Sequence, residues 1–393
     1  MKKLVFFFLA TAMSVQTSAA QTRKITVRVS NPIAVARPCE SIEIDSKTLQ
    51  KRLKPEAGQT YRVEDATGNR LPVQMTHDGK LLFQAQLSPN GQATYTITTG
   101  SPLPYPTVAC GQHYPDRADD IAWENDRVAF RAYGPALQKR GERAFGYDAF
   151  AKRVAYPVIY KWYDGELRRG ISYHRDHGEG MDVYTVGPTL GCGTAALLGK
   201  NDSIVYPYCY QTFEILDNGP LRFTMKLTYR PFSLNGNSIT EVRTISLDKG
   251  SQLNRTLISY NGLQHPMPVV TGIVVHPENP DAWRTDTQDG YIAYEDLTNQ
   301  AKGNNGKIYV GAVVPYKLEK TGMTPFPEAE RKRQRGGAVG HVLAQSMYQP
   351  QTGYLYYWGT GWSKYGFSSM EAWTTYLKNY ASCLRHPVKI SIQ

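Results

Sequence analysis

Apolar and polar positions alternate along much of the chain. The pattern is cleanest at Lys24 to Val29 (KITVRV), where Ile25, Val27 and Val29 would share one face. Ser41 to Ile44, Thr60 to Val63 and Ala93 to Ile97 alternate as well, and Leu81 to Gln84 does so more loosely. A period of two is that of a half-buried strand. Turn signals at Ala66-Thr67-Gly68-Asn69 and Asp78-Gly79 separate these runs. Together they predict a small β-sandwich over residues 21–100, followed by a Pro-rich linker at 101–112.

From residue 113 the alternating runs lengthen. Arg127 to Tyr133, Leu221 to Arg230, Ser238 to Leu247 and Leu253 to Tyr260 read as antiparallel strands, the last three consecutive. Asp217-Asn218-Gly219-Pro220, Asn235-Gly236-Asn237 and Asp248-Lys249-Gly250 supply the turns. Many long strands joined by tight turns predict a large sandwich over 113–393, so the fold class is all-β. In the first of these runs Arg127 and Arg131 fall on one face, to clamp a carboxylate or to pair with a structural acid. Helical spacing is clear only at Phe367 to Asn379. There Met370, Trp373, Tyr376 and Leu377 line one side, with Ser368 or Ser369 as the cap. Pro327 to Gly337 is charged, lacks apolar anchors and reads as an exposed loop.

The first twenty residues change the compartment. Lys2 and Lys3, the apolar run Leu4 to Met13 and the small residues Ser18-Ala19-Ala20 form a secretory signal peptide pattern, residues 1–20. The run is too short to span a bilayer, so the expected mature chain is periplasmic or secreted, with no membrane insertion. Formal charge falls from +11 to +9 once Lys2 and Lys3 leave. A basic exported protein fits an acidic oligosaccharide as partner, and no nucleic-acid-binding pattern accompanies the charge. Export permits disulfides, and Cys192–Cys209 is one possible pair. The odd count of five leaves at least one thiol over, and buried small apolar residues are the plainer reading.

Candidate chemistry concentrates in Ile171 to Tyr184 (ISYHRDHGEGMDVY). Two of the eight histidines and three acids fall between His174 and Asp182. Extended backbone would put His174 and Asp176 on one face and Tyr173, Arg175 and His177 on the other. Gly178 and Gly180 disfavour a helix and favour a bend after His177. That bend would be needed for His174, Asp176 and His177 to share a metal, and Asp176, Glu179 and Asp182 miss the EF-hand spacing; no metal and no cofactor are assigned. Proton abstraction beside a uronate carboxylate needs a base and a cation, which His174 or His177 can supply with Arg175, Tyr173 or Arg127. Glycoside hydrolysis needs two carboxylates, for which Glu179 and Asp182 are the candidates. Mutarotation needs an acid and a base across the ring, such as Glu179 with His177 or His276. Trp362, Lys364 and Tyr365 combine aromatic faces with a cation and suit a sugar subsite, whereas Trp358 reads as core. The plain alternative for the loop is a satisfied surface hydrogen-bond network.

Four stretches carry a family resemblance: Trp123 to Leu137 (WENDRVAFRAYGPAL), Ser172 to Leu197 (SYHRDHGEGMDVYTVGPTLGCGTAAL), Asn218 to Tyr229 (NGPLRFTMKLTY) and Tyr356 to Phe367 (YYWGTGWSKYGF), the last followed by Trp373 to Leu377. In that order they resemble an exported Bacteroidota family of unknown function from polysaccharide-utilisation loci. The resemblance implies a pectin or uronate context. Arg243 to Gly262 (RTISLDKGSQLNRTLISYNG) resembles the strand–turn–strand of galactose-mutarotase-like supersandwiches, which implies a sugar cleft on the concave sheet. The expected function is that of a lyase or glycoside hydrolase on acidic, uronate-containing oligosaccharides. A mutarotase or epimerase, or a non-catalytic glycan-binding protein, is the alternative.

Overall fold

A computed structural model describes residues 23–297, 304–332 and 337–393. The expected signal peptide at 1–20 lies outside them, as does part of the charged stretch 327–337. Among the described residues the fold is all-β, with antiparallel pairing in five sheets. None of the described helices is long and apolar enough to cross a membrane.

Near the N-terminus, Ile25–Ser30 pairs with Gln92–Gly100 and, on its other side, with the last strand, Lys389–Ile392. The chain therefore ends in the sheet where it began. A three-stranded sheet built on Arg37–Asp45 and Lys80–Leu87 faces this one. Between the two lie Val27, Val29, Ile42, Ile44, Val63, Phe83 and Ile97, the inward halves of the alternating runs. An unforeseen helix, Ser46–Leu53, closes one end, with the Asp45 carboxylate accepting the Lys47 N–H at 2.7 Å.

The larger part rests on a nine-stranded sheet containing Arg222–Tyr229, Asn237–Asp248, Leu253–Asn261 and Tyr354–Trp362. A four-stranded sheet and a five-stranded one cover its inner face. Aromatic rings fill the space between: Trp358 stacks on Tyr147 at 4.1 Å, and Trp123 meets Phe130 and Phe223. Trp358 is thus core. On the outer face of the large sheet lies the helix Met370–Arg385, which buries Met370, Trp373 and Leu377 against Tyr291, Tyr309 and Tyr357. Ser369 caps it, its hydroxyl accepting the Ala372 N–H at 3.2 Å. Ser369→Ala leaves that donor unpaired and is expected to cost about 1 kcal/mol. Urea unfolding measures this; an unchanged midpoint would show that the cap adds nothing.

All five cysteines are free; the possible Cys192–Cys209 pair does not form, and the plainer reading as buried small residues holds for these two. Two expectations need correcting. The first long strand is only Ala129–Ala132, so Arg127 sits exposed in the preceding turn while Arg131 is buried. The second concerns helix Ile159–Arg168. Its sequence, IYKWYDGELR, is rich in aromatics and holds a glycine, so propensity does not announce it. Tertiary contacts form it instead: Trp162 and Tyr163 bury against Phe150, and the Glu124 carboxylate accepts the N–H groups of Val158 and Ile159 at its start.

Candidate active site

The five-stranded sheet that includes Gly180–Asp182 has one apolar face and one face that mixes charged residues with Ala122, Ala129 and Phe150, and strand alternation separates them. Ile121, Trp123 and Phe130 point into the main core. Their immediate chain neighbours point the other way. Arg131 pairs in register with Ala122 on one side and Asp148 on the other, and Phe150 pairs with Asp182. Asp120, Arg131, Asp148 and Asp182 therefore stand on one face, and helix Ile159–Arg168 packs over it.

The result is a cation ringed by three buried carboxylates. Arg131 reaches Asp148 through Nε at 3.0 Å, Asp182 at 3.2 Å and Asp120 at 3.5 Å. Tyr133 donates to Asp148 at 2.8 Å, and Tyr163 donates to Asp120 at 3.3 Å. Two guanidinium groups, Arg131 and the nearby Arg117, face three acids, and burial opposes ionising all of them. Burial, then the nearby Asp148 charge, pushes Asp182 up to about 8 against the opposing pull of Arg131 and Arg117. Burial raises Asp120 to about 6.

The loop 171–179 is a series of turns rather than extended backbone, so the expected two-face split of its side chains does not occur. The bend after His177 is present. Gly178 has φ +97° and Gly180 φ +125°, and a Cβ on Gly180 would stand 2.0 Å from the Ala151 carbonyl oxygen. That close approach lays the loop against Asp148–Lys152 and then lets Gly180–Asp182 join the sheet.

His174 sits above the acid cluster. Its Nδ1 lies 3.1 Å from the Asp182 main-chain oxygen and 3.7 Å from the Asp182 carboxylate, and its side chain is 41% exposed. A carbonyl oxygen only accepts, so Nδ1 carries a hydrogen, and in the neutral ring the lone pair falls on Nε2. Arg175 is exposed and has no ion pair among the described residues. His177, also exposed, donates from Nε2 to the Ser172 carbonyl at 3.0 Å.

The other acids of the loop are engaged. Burial works to raise Glu179, but hydrogen bonds from Lys161, Tyr156 and Trp162 outweigh it and hold the carboxyl below its ordinary value. Asp176 is bound by Arg153 and by the N–H groups of Gly178 and Gly180. Asp176, Glu179 and Asp182 thus face three different cations and do not converge on one point. Tyr173 is buried, its hydroxyl held by Arg117 at 3.0 Å, so it supports the cluster rather than facing solvent.

The remaining predicted residues scatter. Arg127, Trp362 and Tyr365 line one narrow crevice. Trp362 is buried beneath the Arg153 guanidinium and donates to the Asn305 carbonyl, so neither arrangement leaves its face open for a sugar. Lys364 is exposed beside it, its ammonium on the Asn304 carbonyl. His276 follows the strand Met267–Val275 and is buried, Nδ1 2.7 Å from the Asp296 carboxylate. The site residues absent from the sequence-based set are Asp120, Asp148, Tyr133 and Arg117. For the two acids a signal was present: Asp120 and Asp148 stand at one parity of the runs DIAWE and DAFAK, whose other parity is wholly apolar.

Over residues 29–390 the chain matches a family described as "Domain of unknown function (DUF4861)". It is 28% identical to "Uncharacterized protein P7" of Formosa agariphila over 99% of both chains. Among solved structures it is similar to an alpha-mannosidase from Enterococcus faecalis V583 (9% identity, TM-score 0.45) and to a glycosyl hydrolase family 38 protein from Enterococcus faecalis (9% identity, TM-score 0.47). Those alignments cover 96% and 94% of this chain but 47% of each solved chain, so it spans about half their length. A likeness this distant says nothing about chemistry.

Proposed function

The chain belongs to the DUF4861 family, and we propose that it is an exported carbohydrate-active enzyme that removes a proton from an acidic, uronate-containing oligosaccharide. The observation that carries this reading is His174: half-exposed, its Nδ1–H directed to Asp182, its Nε2 free to act as base in the neutral ring, and Arg175 beside it without an acid partner among the described residues. In the proposed step Nε2 takes the proton on the carbon next to the sugar carboxylate. The electron pair left behind forms the carbon–carbon double bond as the neighbouring glycosidic carbon–oxygen bond breaks; the departing oxygen takes a proton from water, and the resulting hydroxide takes the proton held by the imidazolium. Arg175 pairs with the carboxylate, where negative charge builds.

Hydrolysis by two carboxylates is less well supported. Glu179 is held ionised by Lys161, which suits neither a general acid nor a free nucleophile, and Asp182 is buried. The signal-peptide pattern supports export, and the charge of +9 left once Lys2 and Lys3 are removed supports an acidic partner.

Incubation with pectic and other uronate oligosaccharides tests the reading. Elimination yields absorbance from a 4,5-unsaturated product. New reducing ends without that absorbance would replace the lyase by a hydrolase, and binding with neither would leave a lectin or an epimerase, which anomeric NMR signals separate.

A further inference from the structure

A second cavity, of about 440 Å³, lies far along the chain from the His174 loop, where the N-terminal strand Arg37–Asp45, the large sheet and the helix Met370–Arg385 meet. Its size falls within the range of small-molecule sites, about 300–1,000 Å³. Arg255 and Tyr357, direct cross-strand partners, contribute from the sheet, and Tyr376 and Tyr380 from the helix.

Its charges are unevenly matched. Arg37 is fixed by Asn31 and Glu40 and by the carbonyl oxygens of Cys383 and His386. Arg222 is fixed by Glu43 and Asp248. These two cations are therefore structural and tie the N-terminal part and the C-terminal helix to the large sheet. Lys249 and Arg255 also line the cavity, and neither has an acid partner among the described residues. Arg255 also interacts with the Tyr357 hydroxyl. Two unneutralised cations beside three tyrosine rings form a surface that favours an anion attached to a ring.

We propose that this cavity is a binding site for an acidic sugar unit, whose carboxylate or sulfate meets Arg255 and Lys249 while its ring lies against the tyrosines. A bare anion would use the cations but leave the aromatic walls and most of the volume unused. This site is separate from the His174 centre, so either assignment can fail without the other.

Calorimetric titration with a trigalacturonate, a sulfated trisaccharide and a neutral trisaccharide tests it, with inorganic sulfate as a fourth probe. At least one acidic trisaccharide is expected to bind the full chain. Arg255→Ala or Lys249→Ala weakens that binding event about ten- to hundredfold, as expected for loss of a charge-assisted hydrogen bond. His174→Ala leaves it unchanged. The carboxylated and sulfated probes distinguish the two anion types. Absence of acidic-sugar binding, equal affinity in both cation variants and the parent, equal affinity for the neutral trisaccharide, or sulfate binding as tightly as the sugars would each overturn the proposal. Both side chains are outside ion pairs, so unchanged thermal midpoints in the variants are expected and keep the comparison valid.

Discussion

His174→Ala lowers turnover about 10²–10⁴-fold on whichever uronate oligosaccharide yields product, the range that a general base contributes. The loss falls on kcat, because the imidazole acts on the proton in flight and gives little ground-state affinity. Folding should be nearly unaffected. His174 is half-exposed, and its removal costs one side-chain hydrogen bond to the Asp182 carbonyl and a ring contact with Tyr173 at 4.5 Å. His177→Ala is the control on the same loop. It should retain most activity, since His177 stands away from Asp182 on the Ser172 carbonyl. Full turnover by a folded His174→Ala enzyme would remove the proposed mechanism. If His177→Ala alone abolished turnover, the base would move to that residue.

Arg131→Met destabilises the fold by about 3–5 kcal/mol near pH 8, the cost of breaking a buried ion pair from one side. Three buried carboxylates then remain with Arg117 as the nearest cation. The loss shrinks at pH 5. Asp120 and Asp182 have an ordinary value of 3.8 and are raised to about 6 and about 8 in the fold. A raised carboxyl means that the folded chain holds a proton which the unfolded chain releases. Its contribution to stability is therefore complete below 3.8 and is lost as pH rises through about 6 and about 8. Removing Arg131 withdraws an influence that lowers both acids, so they rise further and stay neutral at pH 5. Opposing groups such as Glu43 and Glu179 have lowered values and lose their contribution only as pH falls below their ordinary 4.5, outside this window. Urea unfolding of parent and variant at pH 5 and pH 8 reads the difference. An equal loss at both would show that the acids carry no excess proton.

The elements that were legible share one physical origin. Runs such as KITVRV and LRFTMKLTY bury one face and wet the other, so period-two alternation reports them directly as Ile25–Ser30 and Arg222–Tyr229. The helix Met370–Arg385 was legible because Trp373 and Leu377 keep helical spacing behind a serine cap. Helix Ile159–Arg168 was not, because Glu124, far back in the chain, caps it, and Phe150 buries its ring-rich face. The crowded loop was legible as a concentration of charge but not in its contacts. Sequence alone treated Glu179 and Asp182 as equivalent acids, yet one meets Lys161 and the other shares Arg131 with two more carboxylates.

By itself the sequence determined the all-β class, the antiparallel runs, the capped C-terminal helix and the stretch from His174 to Asp182 where polar chemistry gathers. These follow from local periodicity and from composition within a few residues. Only the tertiary structure decided which acids share Arg131, that Trp362 is covered by Arg153, and that the last strand returns to the first sheet. It alone also formed the cavity between Arg37–Asp45 and Met370–Arg385. Each of those depends on strand order and register across more distant parts of the chain. A charge's neighbours, and hence its burial and protonation, exist only after those parts have packed.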